Sequence, residues 1–188
     1  MKPQTSTIGD HTCPWWLIFT FDNPFRKLIH NPKIILSGFV NPGDTVLDVG
    51  CGMGYFSMGL AELVGKNGLV IAADLQEKML TGLQKRARRA ELQSRIQTHL
   101  STPEQIGVDS PIDFVLAFWM VHEVCGQENF LQEIYNLLKP GGKFLIVEPK
   151  IHVIKAAFQR TIQTSDSIGF SVENYPKVIA SRAVILTK

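Results

Sequence analysis

Cysteine is scarce in this chain of 188 residues: Cys13, Cys51 and Cys125 are the only three, an odd number without metal-ligand spacing. A disulfide framework is therefore not what organises the fold, and a reducing, cytoplasmic setting is the expectation. No run of about 18 consecutive apolar residues occurs, so no segment reads as a membrane span. Residues 1–12 are polar with a single Lys, unlike a secretory signal, and the apolar run at 15–19 is short and lacks a basic flank. Charge of one sign is also lacking. A formal net charge of +2 gives no ground for a nucleic-acid or membrane partner. Internal repeats and low-complexity segments are absent. What remains, 45% hydrophobic and 19% charged, is the balance of one ordinary globular domain with a sizeable core.

Pro3, Gly9 and Pro14 break residues 1–14 into irregular chain. Residues 15–40 are aromatic-rich and interrupted by Pro24 and Pro32, which suggests short helices at 24–30 and 32–38 laid over the main body. Asn41-Pro42-Gly43-Asp44 is a turn. Strand-like and helix-like patterns then alternate. Strands are predicted at 45–50, 69–75, 95–100, 112–119 and 143–148, the buried ones as continuous apolar runs. Helices are predicted at 55–65, 76–91, 127–138 and 151–165, the last with Ile154, Ala157, Phe158 and Ile162 facing inward. Lys139-Pro140-Gly141-Gly142 reads as the stop between the third of these helices and the fifth strand. Two final strands, 168–174 and 182–187, have no helix between them and should pair antiparallel. The pattern predicts an α/β fold, a doubly wound and mostly parallel sheet with helices on both faces. Residues 1–188 form a single domain on this reading, with 1–40 as a helical cover and 41–188 as the ligand-binding core.

The most informative stretch is Asp48-Val49-Gly50-Cys51-Gly52-Met53-Gly54-Tyr55. It joins a strand to a helix through three glycines at alternate positions, where backbone can approach a ligand closely. A dinucleotide turn would place its third glycine at position 55. Tyr55 stands there instead, and the third glycine comes one residue early, a spacing that suits a compact ligand without a pyrophosphate.

Asp48-Val49-Gly50-Cys51-Gly52-Met53-Gly54 resembles motif I of the class I S-adenosylmethionine-dependent methyltransferases. Asp74, ending the second strand, resembles that family's ribose-gripping acid, a task that suits a carboxylate because two oxygens can accept from two hydroxyls. Phe118-Trp119-Met120-Val121-His122-Glu123 resembles the family's segment after strand 4, and Leu137-Leu138-Lys139-Pro140-Gly141-Gly142-Lys143 its turn before strand 5. The resemblance covers residues 40–188 and is nearest to the small ubiquinone/menaquinone-type and "type 11" branch. It implies a seven-stranded Rossmann-like sheet of order 3-2-1-4-5-7-6 with the last strand antiparallel. It also implies S-adenosyl-L-methionine as cofactor and transferase activity. The implied cofactor contacts are Asp48, Gly50, Cys51, Gly52, Gly54, Asp74, Leu75, Phe118 and Trp119. Many relatives place an adenine-binding Asp after strand 3. Here Ser101 and Thr102 occupy that place.

In open α/β sheets a ligand sits beyond the strand ends where the order reverses. That places it between the glycine turn and residues 118–123. His122 and Glu123 are candidate proton acceptors there, with His11 as a third and Glu148, at the end of the fifth strand, bordering the same crevice. Each has a purely structural role as its competitor: a hydrogen-bonded loop histidine for His122, a helix cap for Glu148. Asp48 can bond the loop's own amides instead of ligand. His11-Thr12-Cys13-Pro14-Trp15-Trp16 is poor metal chemistry, since zinc needs three or four ligands, so no metal is expected. Its aromatics either close over the crevice or pack an N-terminal helix. The basic run Lys85-Arg86-Ala87-Arg88-Arg89 reads as a solvated helix face. An Asn/Asp-Pro-Pro-Tyr motif for aminopurine methylation is replaced by Ala117-Phe118-Trp119-Met120. The expected acceptor is a small molecule, and a cofactor-binding regulatory module without turnover is the competing class.

Overall fold

A computed structural model of the chain describes residues 29–188. His11 and the aromatic stretch at 13–21 lie outside the described residues, as does most of the helix expected at 24–30. Chain order runs α1 (Pro32–Leu36), β1 (Thr45–Val49), α2 (Tyr55–Val64), β2 (Leu69–Asp74), α3 (Glu77–Arg89), β3 (Ile96–Leu100) and β4 (Ile112–Phe118). It continues with α4 (Gln127–Leu137), β5 (Leu138–Pro149), α5 (Lys155–Ile168), β6 (Ser171–Asn174) and β7 (Ser181–Thr187). A single turn of 3-10 helix, Val121–Glu123, follows β4.

The strands form one seven-stranded sheet in the order β3-β2-β1-β4-β5-β7-β6. β1 to β5 pair parallel, and β7 runs antiparallel to both β5 and β6. The expected order and closing hairpin are both present. The central strands are mostly apolar because helices cover both faces. On one face Val46, Phe114, Leu116, Leu145 and Val147 pack with Phe56, Leu60, Ala61 and Val64 of α2. On the other, Val115, Ala117, Phe144 and Ile146 pack with Phe130, Leu131 and Ile134 of α4 and Phe158 and Ile162 of α5. α3 presents Met79, Leu80, Leu83 and Ala87, all buried, as its spacing predicts.

Four expected boundaries are corrected. Pro140-Gly141-Gly142 is not a turn ahead of the fifth strand. β5 already starts at Leu138, and its partners on β4 jump from Ile112↔Leu138 to Phe114↔Lys143. A left-handed Gly141 (φ 75°) takes up the surplus residues as a bulged lead-in. The last helix begins at Lys155 and not at 151, because Pro149 O accepts from both His152 N and Val153 N and turns the chain first. Ile154 is therefore an extended cap residue, 65% exposed, and the inner face is Phe158, Thr161, Ile162 and Ser165. The helix runs on to Ile168, and a left-handed Gly169 ends it, so β6 starts only at Ser171.

Candidate functional site

The sheet order reverses at β1 and β4, and the glycine turn and the segment after β4 meet there. Gly50, Gly52 and Gly54 all have positive φ (67°, 54° and 79°), a run of left-handed residues that side chains resist. Two of them also leave no room for a Cβ. At Gly50 it would lie 2.9 Å from Met120 Cγ, and at Gly54 2.1 Å from Leu83 Cδ1. Gly50 N and Cys51 N both donate to Ala73 O, at 2.9 and 3.1 Å, which stitches the turn to the end of β2.

Asp74 sits at that end. Its Oδ2 accepts from Gly52 N and its Oδ1 from Gln76 N, each at 2.9 Å. Burial raises its carboxyl above the usual carboxylate range, and the backbone N–H groups of Gln76, Gly52 and Leu75 partly offset this. Each oxygen has two lone pairs, so a bond to one amide leaves each able to accept from a ligand hydroxyl. Leu75 follows with 42% of its surface exposed. Ser101 N donates to Asp74 O, and the Ser101 hydroxyl donates to Ile106 O at 3.1 Å, which leaves the hydroxyl oxygen able to accept. Thr102 is exposed beside it, tied through its amide to Gln105 O.

Asp48 lies in β1, just ahead of the glycine turn. It is 2% exposed and accepts from the Ser57 hydroxyl, in the first turn of α2, at 2.5 Å. Cys51 is buried at 9% exposure beside Ala72, Leu80 and Leu83. Burial first, then the charges of Asp48 and Asp74, push its thiol well above the ordinary range and keep it neutral. Cys51 thus offers a ligand its backbone and no nucleophile.

Beyond β4, Phe118 is 7% exposed, its ring centroid 4.2 Å from that of Phe56, so its side chain belongs to the core. Trp119 is the unusual residue: φ is +61°, a region that bulky side chains avoid. Its conformation is over-determined. Trp119 N donates to Val147 O at 2.7 Å, Nε1 donates to Ser181 Oγ at 2.9 Å, and the buried His30 packs edge-on at 5.0 Å. His30 in turn donates from Nε2 to Ile179 O at 2.9 Å and accepts at its carbonyl from Tyr55 Oη at 3.1 Å. His30, two residues before α1, is thereby fastened beside Trp119 and Tyr55.

His122 and Glu148, two of the candidates, are brought together. Glu148 is 2% exposed; its Oε1 accepts from Val121 N at 2.9 Å and its Oε2 from His122 Nδ1 at 2.5 Å. Glu148 is not a helix cap, since α5 starts seven residues later. The Glu148 hydrogen bond raises the His122 imidazole above its usual value. Partial burial opposes this, and the charges of Glu148 and Glu123 add to it. Glu123 Oε1 lies 4.0 Å from His122 Nε2, and the His152 ring stacks nearly parallel to that of His122 with centroids 6.1 Å apart. Sequence reasoning missed Ser57, His30, Ser181 and His152. For Ser57 a signal existed, because the first helical turn after such a loop must lie over the end of the preceding strand. Among the described residues no group of three or more His, Cys, Asp or Glu side chains is placed to hold a metal ion.

A family described as "Methyltransferase domain" matches residues 40–176, and the chain belongs to it. It is similar to a demethylmenaquinone methyltransferase of Lactobacillus johnsonii, 32% identical over 144 residues, 72% of this chain and 59% of that protein. A ubiquinone/menaquinone biosynthesis C-methyltransferase UbiE of Hydrogenovibrio crunogenus is 32% identical over 124 residues, 65% of this chain and 48% of that protein. These matches therefore span less than two thirds of either relative's length. In fold the chain resembles a SAM dependent methyltransferase from Aquifex aeolicus, with a TM-score of 0.84 and 24% identity, covering 94% of this chain and 99% of that one.

Proposed function

We propose that this chain transfers a methyl group from S-adenosylmethionine to a small-molecule acceptor. The observation that carries this reading is the junction of Gly50–Gly54 with Asp74 at the sheet's switch point. The residues fit the cofactor. Asp74 keeps lone pairs for two ribose hydroxyls, Leu75 presents an exposed apolar surface for the adenine face, and the Ser101 oxygen can accept from the adenine amino group. The left-handed glycines bring backbone, with no side chain between, to the methionine end. Asp48 supports this loop from beneath through Ser57.

When bound, the cofactor supplies an activated methyl group, so the protein's contribution is chiefly orientation and exclusion of water. Trp119, held by three separate contacts at the switch point, forms a rigid wall for that purpose. The names of the similar proteins make a quinol-type ring the first acceptor to examine. A nicotinamide nucleotide is disfavoured by Tyr55, which fills the place of a third dinucleotide glycine and uses its hydroxyl on His30 O. Calorimetric titration with S-adenosylmethionine and with NAD(H) tests this directly. Binding of the former alone, followed by transfer of labelled methyl to a compound of a cell extract, is the expected result. Binding of NAD(H) without S-adenosylmethionine overturns it.

A further inference from the structure

We infer that His122 Nε2 is the base that takes the proton of the acceptor, that Glu148 positions it, and that the acceptor therefore carries an ionisable hydroxyl on a conjugated ring. This rests on the methyl-transfer reading above and assigns the other half of its site.

An ionised carboxylate only accepts, so the 2.5 Å contact with Glu148 Oε2 requires His122 Nδ1 to carry the hydrogen. In the neutral ring the lone pair then sits on Nε2. Glu148 itself cannot turn away, because its other oxygen is held by Val121 N, the amide of the same 3-10 turn that carries His122. β5 is neighbour to β4, with Phe118↔Val147 as its last register pair. The carboxylate thus rises from the strand beside the crevice and fixes the ring across 26 residues of sequence. Such an orienting acid behind a histidine base is what general-base chemistry needs: one nitrogen anchored, the other presented.

The histidine is also where a ligand can reach it. The His122 side chain is 26% exposed while that of Glu148 is 3% exposed. It belongs to the segment whose Met120 lies against Gly50, on the cofactor side of the switch point. Among the described residues, the charged and titratable groups around the ring are Glu148 from β5, Glu123 from its own turn and His152 from the loop after β5. Arg182 stands opposite Glu148 in the β5–β7 register, with its Nε donating to Val153 O. Two carboxylates thus flank the imidazole, which stabilises the imidazolium that a proton acceptor becomes.

The proton balance selects the acceptor. The O–H bond breaks, its proton moves to Nε2, and its electron pair stays with the acceptor, available from oxygen or, through conjugation, from a ring carbon. The positive charge that the methyl donor loses reappears on His122, between Glu148 and Glu123. A neutral amine or thioether acceptor needs no such base before attack.

The test uses the full chain with histidines labelled with nitrogen-15, its Glu148→Gln and His122→Ala variants, labelled S-adenosylmethionine, and naphthohydroquinone as the acceptor probe. Neutral His122 should show its proton on Nδ1, with a titration midpoint that falls in Glu148→Gln. A proton on Nε2, or an unmoved midpoint, overturns the assignment. The wild-type chain should methylate the probe at a rate that rises with pH through that midpoint. Glu148→Gln should move the rise to lower pH and cut kcat by about 10- to 100-fold, with KM and cofactor affinity little changed. Added imidazole should rescue His122→Ala. Methylation indifferent to both substitutions removes the base. Cofactor binding without methylation of the probe overturns the acceptor class, and absence of cofactor binding overturns the parent reading instead.

Discussion

The Asp48 carboxylate, buried in the central strand of the sheet, accepts a 2.5 Å hydrogen bond from the Ser57 hydroxyl in the first turn of α2. The two are nine positions apart in sequence, and the whole glycine turn lies between them. The bond therefore clamps both ends of the loop that we assign to the cofactor. A buried acid beside Val46, Leu47 and Val49 costs desolvation, and the hydroxyl offsets part of it.

Ser57→Ala should accordingly destabilise the fold by about 1–3 kcal/mol, the penalty for removing a partner from a buried charged group. Urea unfolding measures it through the midpoint, with the slope unchanged. Cofactor affinity should fall as well, since the loop loses its clamp. A stability change within about 0.5 kcal/mol, typical of surface sites, would show that the pair does not hold the loop.

Gly54→Ala combines two faults. The residue has φ +79°, and the added methyl would stand 2.1 Å from Leu83 Cδ1. Left-handed strain and overpacking each cost on the order of 1–3 kcal/mol. Leu83→Ala alone should destabilise by about 2–5 kcal/mol through its cavity. In the double variant the methyl has space, so the loss should be smaller than the sum of the two, with the strain remaining. Additive losses in denaturant titration would refute the steric contact.

The alternation of strands and helices was legible because the central strands are buried on both faces: runs such as Leu69–Ala73 and Phe114–Phe118 are apolar without a break. The glycine turn and Asp74 were legible because both features are local in sequence. The His122–Glu148 pair was legible only as two separate candidates, since their contact depends on the β4–β5 register. That register in turn depends on the bulge at Pro140–Gly142, which looks like an ordinary helix stop. Ile154 misled for a different, local reason. Its apolar character fits a helical face, but the backbone bonds of Pro149 delay the helix until Lys155. Long-range strand pairing decided the first of these, and a local backbone turn the second.

Asp74→Ala should weaken S-adenosylmethionine binding by about 1–3 kcal/mol, the cost of leaving ligand hydroxyls without acceptors in a mostly buried site. That corresponds to roughly a 5- to 150-fold rise in Kd by calorimetry. The substitution also frees the amides of Gly52 and Gln76, so its effect on the unliganded fold must be measured beside it. Unchanged affinity would remove the ribose assignment.

The His122 imidazole, raised mainly by its hydrogen bond to Glu148, makes stability depend on pH with a definite sign. Between the unfolded midpoint of about 6.5 and the higher folded one, the folded state holds more protons than the unfolded state. The stabilisation is then fully present below the unfolded value and is lost as pH rises through the folded one. Other groups titrate in the same range, so the difference between wild type and a variant is the useful quantity. Glu148→Gln replaces a carboxylate with a neutral amide that can accept from only one of Val121 N and His122 Nδ1. The wild-type advantage in Tm over this variant should therefore be largest at mildly acidic pH and shrink toward alkaline pH. A difference that stays constant from pH 5 to 9 would mean that the pair contributes packing and backbone bonding alone, with no charge on the ring to be stabilised.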